Sequence, residues 1–331
     1  MNTATLVNSH NASSINEEVR VQSEYSSTDR ERRLSQILEV TLRVSEIALA
    51  LIVCLGIIGI VGTNPLLLSS LLLGSLLFGE FATPYLPLKA RRAVHWVNGA
   101  GKEFLTLPIH IFFYFYRLEK QNPDASNLKG NKPLVIASHG YLHNSSAWIY
   151  GRRRLQSAGF NFVTLTKRKM FASIDQYAEQ IEILSQKYFD YIQKNGVVLL
   201  GHSMGGIAAC KAADLIIQRH PLLKNKIQVI TLASPLQGTH LAKIGIGKCA
   251  REMERNSPYI ATLNRRIEEM EKNTANFYHI TSTVDLIVLP HQSASRSLPE
   301  SCHNHTSIQN HGHLSLLFSD NIFDKVIESI N

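Results

Sequence analysis

Apolar positions along this chain follow two regimes. Between residues 47 and 61 every position is apolar or Gly, and between 66 and 78 only Ser69, Ser70, Gly74 and Ser75 interrupt a second apolar run. Thr63-Asn64-Pro65 between them is a turn signal. Extended by their neighbours to 45–62 and 66–83, both runs approach the ~20 residues of a spanning helix, where about 17 suffice. From residue 126 onward the pattern changes to short β-branched runs alternating with amphipathic stretches.

That second regime predicts strands at 132–138, 160–165, 197–200, 227–232 and 277–282. Between them it predicts helices at 173–194 and 204–218. The first helix is capped by Ser173, and Tyr177, Ile181, Leu184, Tyr188 and Ile192 recur along it at spacings of three or four. Asn195-Gly196 closes it. Strand–helix alternation argues for an α/β fold with a mostly parallel sheet and helices on both faces. No internal repeat is present, and residues 126–331 are enough for a sizeable core.

The first regime argues for a helical hairpin in a membrane. A cleaved signal peptide does not fit an apolar stretch that starts this far in and is followed by a second. A soluble hairpin would need partner surface around both helices. Arg30, Arg32, Arg33 and Arg43 precede the first run, and Lys89, Arg91 and Arg92 follow the second. Positive flanks with an uncharged tip place both ends on the cytoplasmic side. The division is therefore 1–30 disordered, 31–92 transmembrane hairpin, 93–125 aromatic connector and 126–331 catalytic domain. The connector carries Trp96, Phe104 and the aromatic run 111–116. It suits either the headgroup layer or packing on the domain that follows.

Composition excludes a disordered chain, a collagen repeat and a disulfide-dense mini-protein: 44% is hydrophobic and 18% charged. The net charge of +8 suggests nucleic acid or an anionic membrane as partner. The charge is uneven, with +1 on residues 1–120 and +7 on 121–331. No nucleic-acid motif accompanies it. Arg152-Arg153-Arg154 and Lys167-Arg168-Lys169 suit either anionic headgroups or solvated loops. Cys54, Cys210, Cys249 and Cys302 show no paired spacing, so all four are read as reduced.

Chemistry enters at Gly201-His202-Ser203-Met204-Gly205-Gly206, which follows a predicted strand and opens a predicted helix. This is the G-x-S-x-G pattern, in which a serine nucleophile sits on a strained strand-to-helix turn. A serine hydroxyl needs a base held by a third group. Asp285, just past the last predicted strand, is the expected orienter; Asp320 and Asp324 suit capping or surface roles. His303, His305, His311 and His313 crowd one stretch, in spacings that match no zinc motif. His313 is preferred as base because it opens the apolar run 314–318, His311 is the fallback, and the others are read as loop residues. The oxyanion donors expected are the N–H groups of Met204 and Tyr141, the latter in the loop after the first strand. His139 in that loop is read as structural. No metal or cofactor is expected.

Five stretches carry a family likeness: HGYLHNSSAW at 139–148, FASIDQYAEQI at 171–181, GHSMGG at 201–206, ASPLQGTHLA at 233–242, and STVDLIVLP at 282–290 with HGHLSLLFS at 311–319. Here the chain resembles bacterial lipases and esterases of the α/β-hydrolase fold, of a group with an N-terminal membrane hairpin. The likeness implies Ser203, Asp285 and His313 as nucleophile, orienter and base. With the hairpin reading, the expectation is a membrane-anchored serine hydrolase that cleaves carboxylic esters, acyl esters of lipids above all, its basic flanks placing it on the cytoplasmic side. Acyl transfer, thioester hydrolysis and a catalytically silent membrane module are the alternatives. The segment 243–273 reads as short, charged and helical rather than as a large lid domain.

Overall fold

The structure, a computed structural model, describes residues 88–116, 122–166, 171–273, 276–289, 291–294 and 304–330. The two apolar runs and Lys167-Arg168-Lys169 lie outside these residues, as do Cys54, Cys302 and His303. Among the described residues no helix is long and apolar enough to cross a membrane.

Six strands form one parallel sheet: β1 (Leu134–Ser138), β2 (Phe162–Thr164), β3 (Val197–His202), β4 (Ile227–Leu232), β5 (Asn276–Ser282) and β6 (His305–Ile308), in the spatial order β2-β1-β3-β4-β5-β6. The helices are α1 (Leu88–Tyr116), α2 (Ile149–Ser157), α3 (Ile174–Lys187), α4 (Phe189–Asn195), α5 (Met204–Arg219), α6 (Lys248–Glu252), α7 (Pro258–Asn273) and α8 (Asp320–Ile330).

Alternation along the strands sorts side chains to two apolar clusters. On one face, Leu134, Ile136, Val197, Leu199 and Val229 join residues of α3, α5 and α7. On the other, Val135, Ala137, Val198, Leu200 and Ile230 join Leu155 of α2 and Ile322, Phe323 and Val326 of α8. Covering on both faces explains why these strands read as continuous apolar runs.

Three sequence expectations need correction. The helix at 173–194 is two helices, because Tyr188 leaves helical geometry (φ −113°, ψ 23°). Its buried ring is tethered by a hydroxyl that donates to the Pro123 carbonyl at 2.6 Å. His305 lies not in a loop but on β6, an edge strand too short and polar to signal itself. The Arg152-Arg153-Arg154 segment lies within α2 rather than a loop. There Arg152 is buried over the Phe162 ring and donates to Thr164, and Arg154 pairs with Asp320 and Asp324. Most of the aromatic connector lies within α1. Segment 243–273 is helical as expected, forming α6 and α7.

Candidate active site

The strand order places a topological switch between β1 and β3, since the chain leaves β1 for β2 on one side and returns to β3 on the other. Loops at the carboxyl ends of two such strands diverge and leave a crevice. Both the 139–144 loop and Ser203 sit there. Ser203 has φ 56° and ψ −129°, a strained conformation for a residue with a side chain. Its N–H donates to the Leu232 carbonyl on β4 at 2.9 Å, fixing the turn to the sheet.

The glycines around it are demanded by contact. A Cβ on Gly205 would lie 2.6 Å from the His139 carbonyl oxygen and closer still to that of Ser138. The Ser138 hydroxyl donates to the Gly205 carbonyl at 2.6 Å, locking the end of β1 to the turn. A Cβ on Gly140 would lie 2.9 Å from the Ser203 Cβ, so the 139–144 loop is pressed against the serine. Met204 opens α5, and its N–H belongs to the first turn, which lacks intrahelical acceptors. Tyr141 lies on the adjacent loop, and its hydroxyl both donates to the Ile246 carbonyl and accepts from the Ile246 N–H, each at 2.8 Å. His139 donates from Nδ1 to the Gly140 carbonyl and sets its ring edge-on to Tyr177, in keeping with a structural role.

Asp285 follows β5 and is fully buried. Its Oδ1 accepts the N–H groups of Ile287 and Val288, both at 2.8 Å, and its Oδ2 accepts from His313 Nδ1 at 2.7 Å. These bonds fix the tautomer: with its Nδ1–H donated to the carboxylate, neutral His313 leaves Nε2 unprotonated. Burial disfavours the imidazolium, but the charge and hydrogen bond of Asp285, with the charge of Glu103, outweigh it and raise the His313 pKa.

The ring meeting Asp285 is that of His313; the His311 carbonyl instead accepts from the Ser282 hydroxyl. His305 bonds the Thr281 hydroxyl at the sheet edge.

His202 joins the serine turn to the His313 loop. Its Nε2–H donates to the His313 carbonyl at 2.9 Å, and the two rings pack with centroids 4.7 Å apart. Burial, followed by the nearby His313, pushes its pKa well below the ordinary histidine range, so it stays neutral. Through His202, the strained turn of the buried Ser203 is thus joined to the loop that carries the carboxylate-bound imidazole.

Residues 152–292 match the family model of class 3 lipases. Over that stretch, less than half of the chain, the sequence is similar to class 3 lipases. The match takes in Ser203 and Asp285 and stops short of His313. No curated protein matches the chain. Among solved structures, lipase BlEst2 of Bacillus licheniformis in its propeptide form is 13% identical with a TM-score of 0.50, covering 63% of this chain and 52% of that one. Lipase B of Aspergillus fumigatus is 17% identical with a TM-score of 0.49, covering 64% and 54%. The chain thus spans about half the length of both. The mature form of BlEst2 is 14% identical with a TM-score of 0.49, covering 61% of this chain and 94% of that one.

Motif reasoning missed three residues that touch these loops: His202, Glu103 and His110. The one available signal for Glu103 is that it and Lys102 are the only charges between residues 93 and 116.

Proposed function

We propose that this protein is a membrane-anchored serine hydrolase that cleaves carboxylic esters, the acyl esters of lipids above all. The observation that carries the reading is the buried His313–Asp285 bond, on a loop joined through His202 to the strained Ser203 turn. In this mechanism His313 Nε2 takes the proton of the Ser203 hydroxyl as its oxygen attacks the ester carbonyl. The N–H groups of Met204 and Tyr141 stabilise the developing oxyanion. The alcohol leaves with the proton from His313, and water then releases the fatty acid by the same steps in reverse.

The apolar sequence runs at 45–62 and 66–83 support the anchor. Their basic flanks favour a domain on the cytoplasmic side. An anchored site would meet its substrate where acyl chains concentrate.

The test is labelling with a fluorophosphonate, then turnover of short and long p-nitrophenyl esters. Wild type is expected to label and turn over, whereas Ser203→Ala does neither. Equal inertness of both proteins would sink the hydrolase reading in favour of a silent module. Transfer of the acyl group to an added alcohol or thiol faster than to water would identify an acyltransferase.

A further inference from the structure

α1 reaches the proposed site from outside the matched lipase region. His95, Gly99, Glu103 and His110 lie at spacings of four, four and seven, which line one side of a helix. Each of them meets an active-site loop. The His95 ring bonds the Asn310 side chain. Gly99 abuts the Val284 side chain, next to Asp285, and a Cβ there would lie 3.5 Å from the His311 N.

Glu103 makes the most specific contacts. Both carboxylate oxygens accept the Leu314 N–H at 2.9 Å, and Oε2 also accepts the Ser315 N–H at 2.9 Å. These are the two peptide groups that follow His313. Gly312 on its other side is packed so closely that a Cβ would lie 2.8 Å from the Glu103 Cδ.

His110 takes the next group in the same loop. Its Nε2–H donates to the Leu314 carbonyl at 3.1 Å, and its Nδ1 accepts from His143 Nε2 at 3.0 Å. His143 Nδ1 in turn accepts the Asn144 N–H at 2.9 Å, and the His143 N–H closes the loop onto the Gly140 carbonyl. One helix therefore grips the backbone on the far side of His313 and, through a second histidine, the loop pressed against Ser203.

We propose that Glu103 and His110 of α1 are positioning residues of the ester-cleaving site, holding the 312–315 backbone so that the His313 imidazole keeps its orientation toward Asp285 and Ser203. This rests on the reading of Ser203, Asp285 and His313 given above. α1 is then a working part of the active site rather than a spacer.

The experiment uses the full chain and four variants: Glu103→Gln, Glu103→Ala, Ser203→Ala and, as control, Glu179→Gln on an exposed position of α3. Steady-state kcat and KM on a short p-nitrophenyl ester are measured across pH, together with thermal midpoints. The ionisable side chains around His313 are Asp285, Glu103, His202 and His110. Of these, only Asp285 and Glu103 bring negative charge.

Glu103→Ala is expected to lower kcat about 10- to 100-fold with KM within about twofold, as small misplacements of catalytic groups do. Its acid limb moves to lower pH, because the charge that supports the imidazolium is gone. Glu103→Gln keeps one acceptor and the side-chain volume. It is expected to recover part of kcat while leaving the acid limb shifted, a split that a purely structural role would not produce.

Wild-type kcat and an unmoved acid limb in folded Glu103→Gln overturn the proposal, whether or not Glu103→Ala folds. Undiminished turnover by Ser203→Ala would instead overturn the underlying triad, so the two failures are distinguishable.

Discussion

Asp285 shows how much one side chain decides at the residue scale. One of its oxygens is committed to two backbone N–H groups and the other to His313. In Asp285→Asn the surviving carbonyl oxygen keeps the backbone bonds, and the new amide places a donor against His313 Nδ1. The imidazole must then carry its proton on Nε2, where it cannot accept one from Ser203. Turnover of a short ester is expected to fall roughly 10³- to 10⁴-fold in kcat with KM little changed. A loss below tenfold would deny Asp285 the orienting role. Ser203 and Asp285 were legible in the sequence because a local motif and the chain order of strand ends mark them. Glu103 was not: its partners lie 211 and 212 residues away, and no local pattern encodes such a contact.

At the scale of elements, buried carboxylates paired with half-exposed arginines tie the helices of one face together. Glu182 on α3 is fully buried and meets Arg219 at the end of α5. Asp214 on α5 is buried and meets Arg266 on α7, Lys211 and Gln218; burial works against its ionisation, but these partners hold its pKa below the usual carboxylate value. Arg266→Ala is expected to destabilise the fold by about 1–3 kcal/mol, because the carboxylate stays buried with a poorer set of partners. Urea unfolding of the two proteins measures this.

Acid should weaken the packing of α1 in particular. Burial lowers the pKa of His110 to about 4 and holds that of His202 well down. Below pH ~6.5 the unfolded chain takes up protons that the folded chain refuses, so stability falls with pH by about 1.4 kcal/mol per unit for each histidine. His313 has the opposite sign: its contribution is complete below pH ~6.5 and fades as pH rises through its raised folded value. The unfolding midpoint is therefore expected to drop between pH 6.5 and 4.5, and His110→Gln to flatten that slope. An identical slope in the variant would show that His110 does not titrate on unfolding.

For the whole molecule, the charge is uneven along the chain. Residues 1–120 carry the apolar runs at +1, and residues 121–331 carry the sheet and the proposed site at +7. The proposed anchor predicts that the full chain stays with membranes in high salt and alkaline carbonate and leaves them only in detergent. Release by salt alone would mean that charge, not insertion, holds it. The basic surface is smaller than the sequence suggested, because Arg152 is buried and Arg154 is paired.

By itself the sequence determined what local patterns can carry: the alternation of five strands and their helices, the serine turn, and the order of serine, carboxylate and histidine. Period and turn chemistry act over a few residues, so they survive in one dimension. The sequence also preferred His313 over His311 as the partner of Asp285, but tertiary structure alone decided that Tyr188 breaks a helix, that His305 joins an edge strand, and that α1 grips the loop behind His313. Those outcomes depend on contacts between residues tens to hundreds of positions apart, which exist only once the parallel sheet has brought its strand ends together.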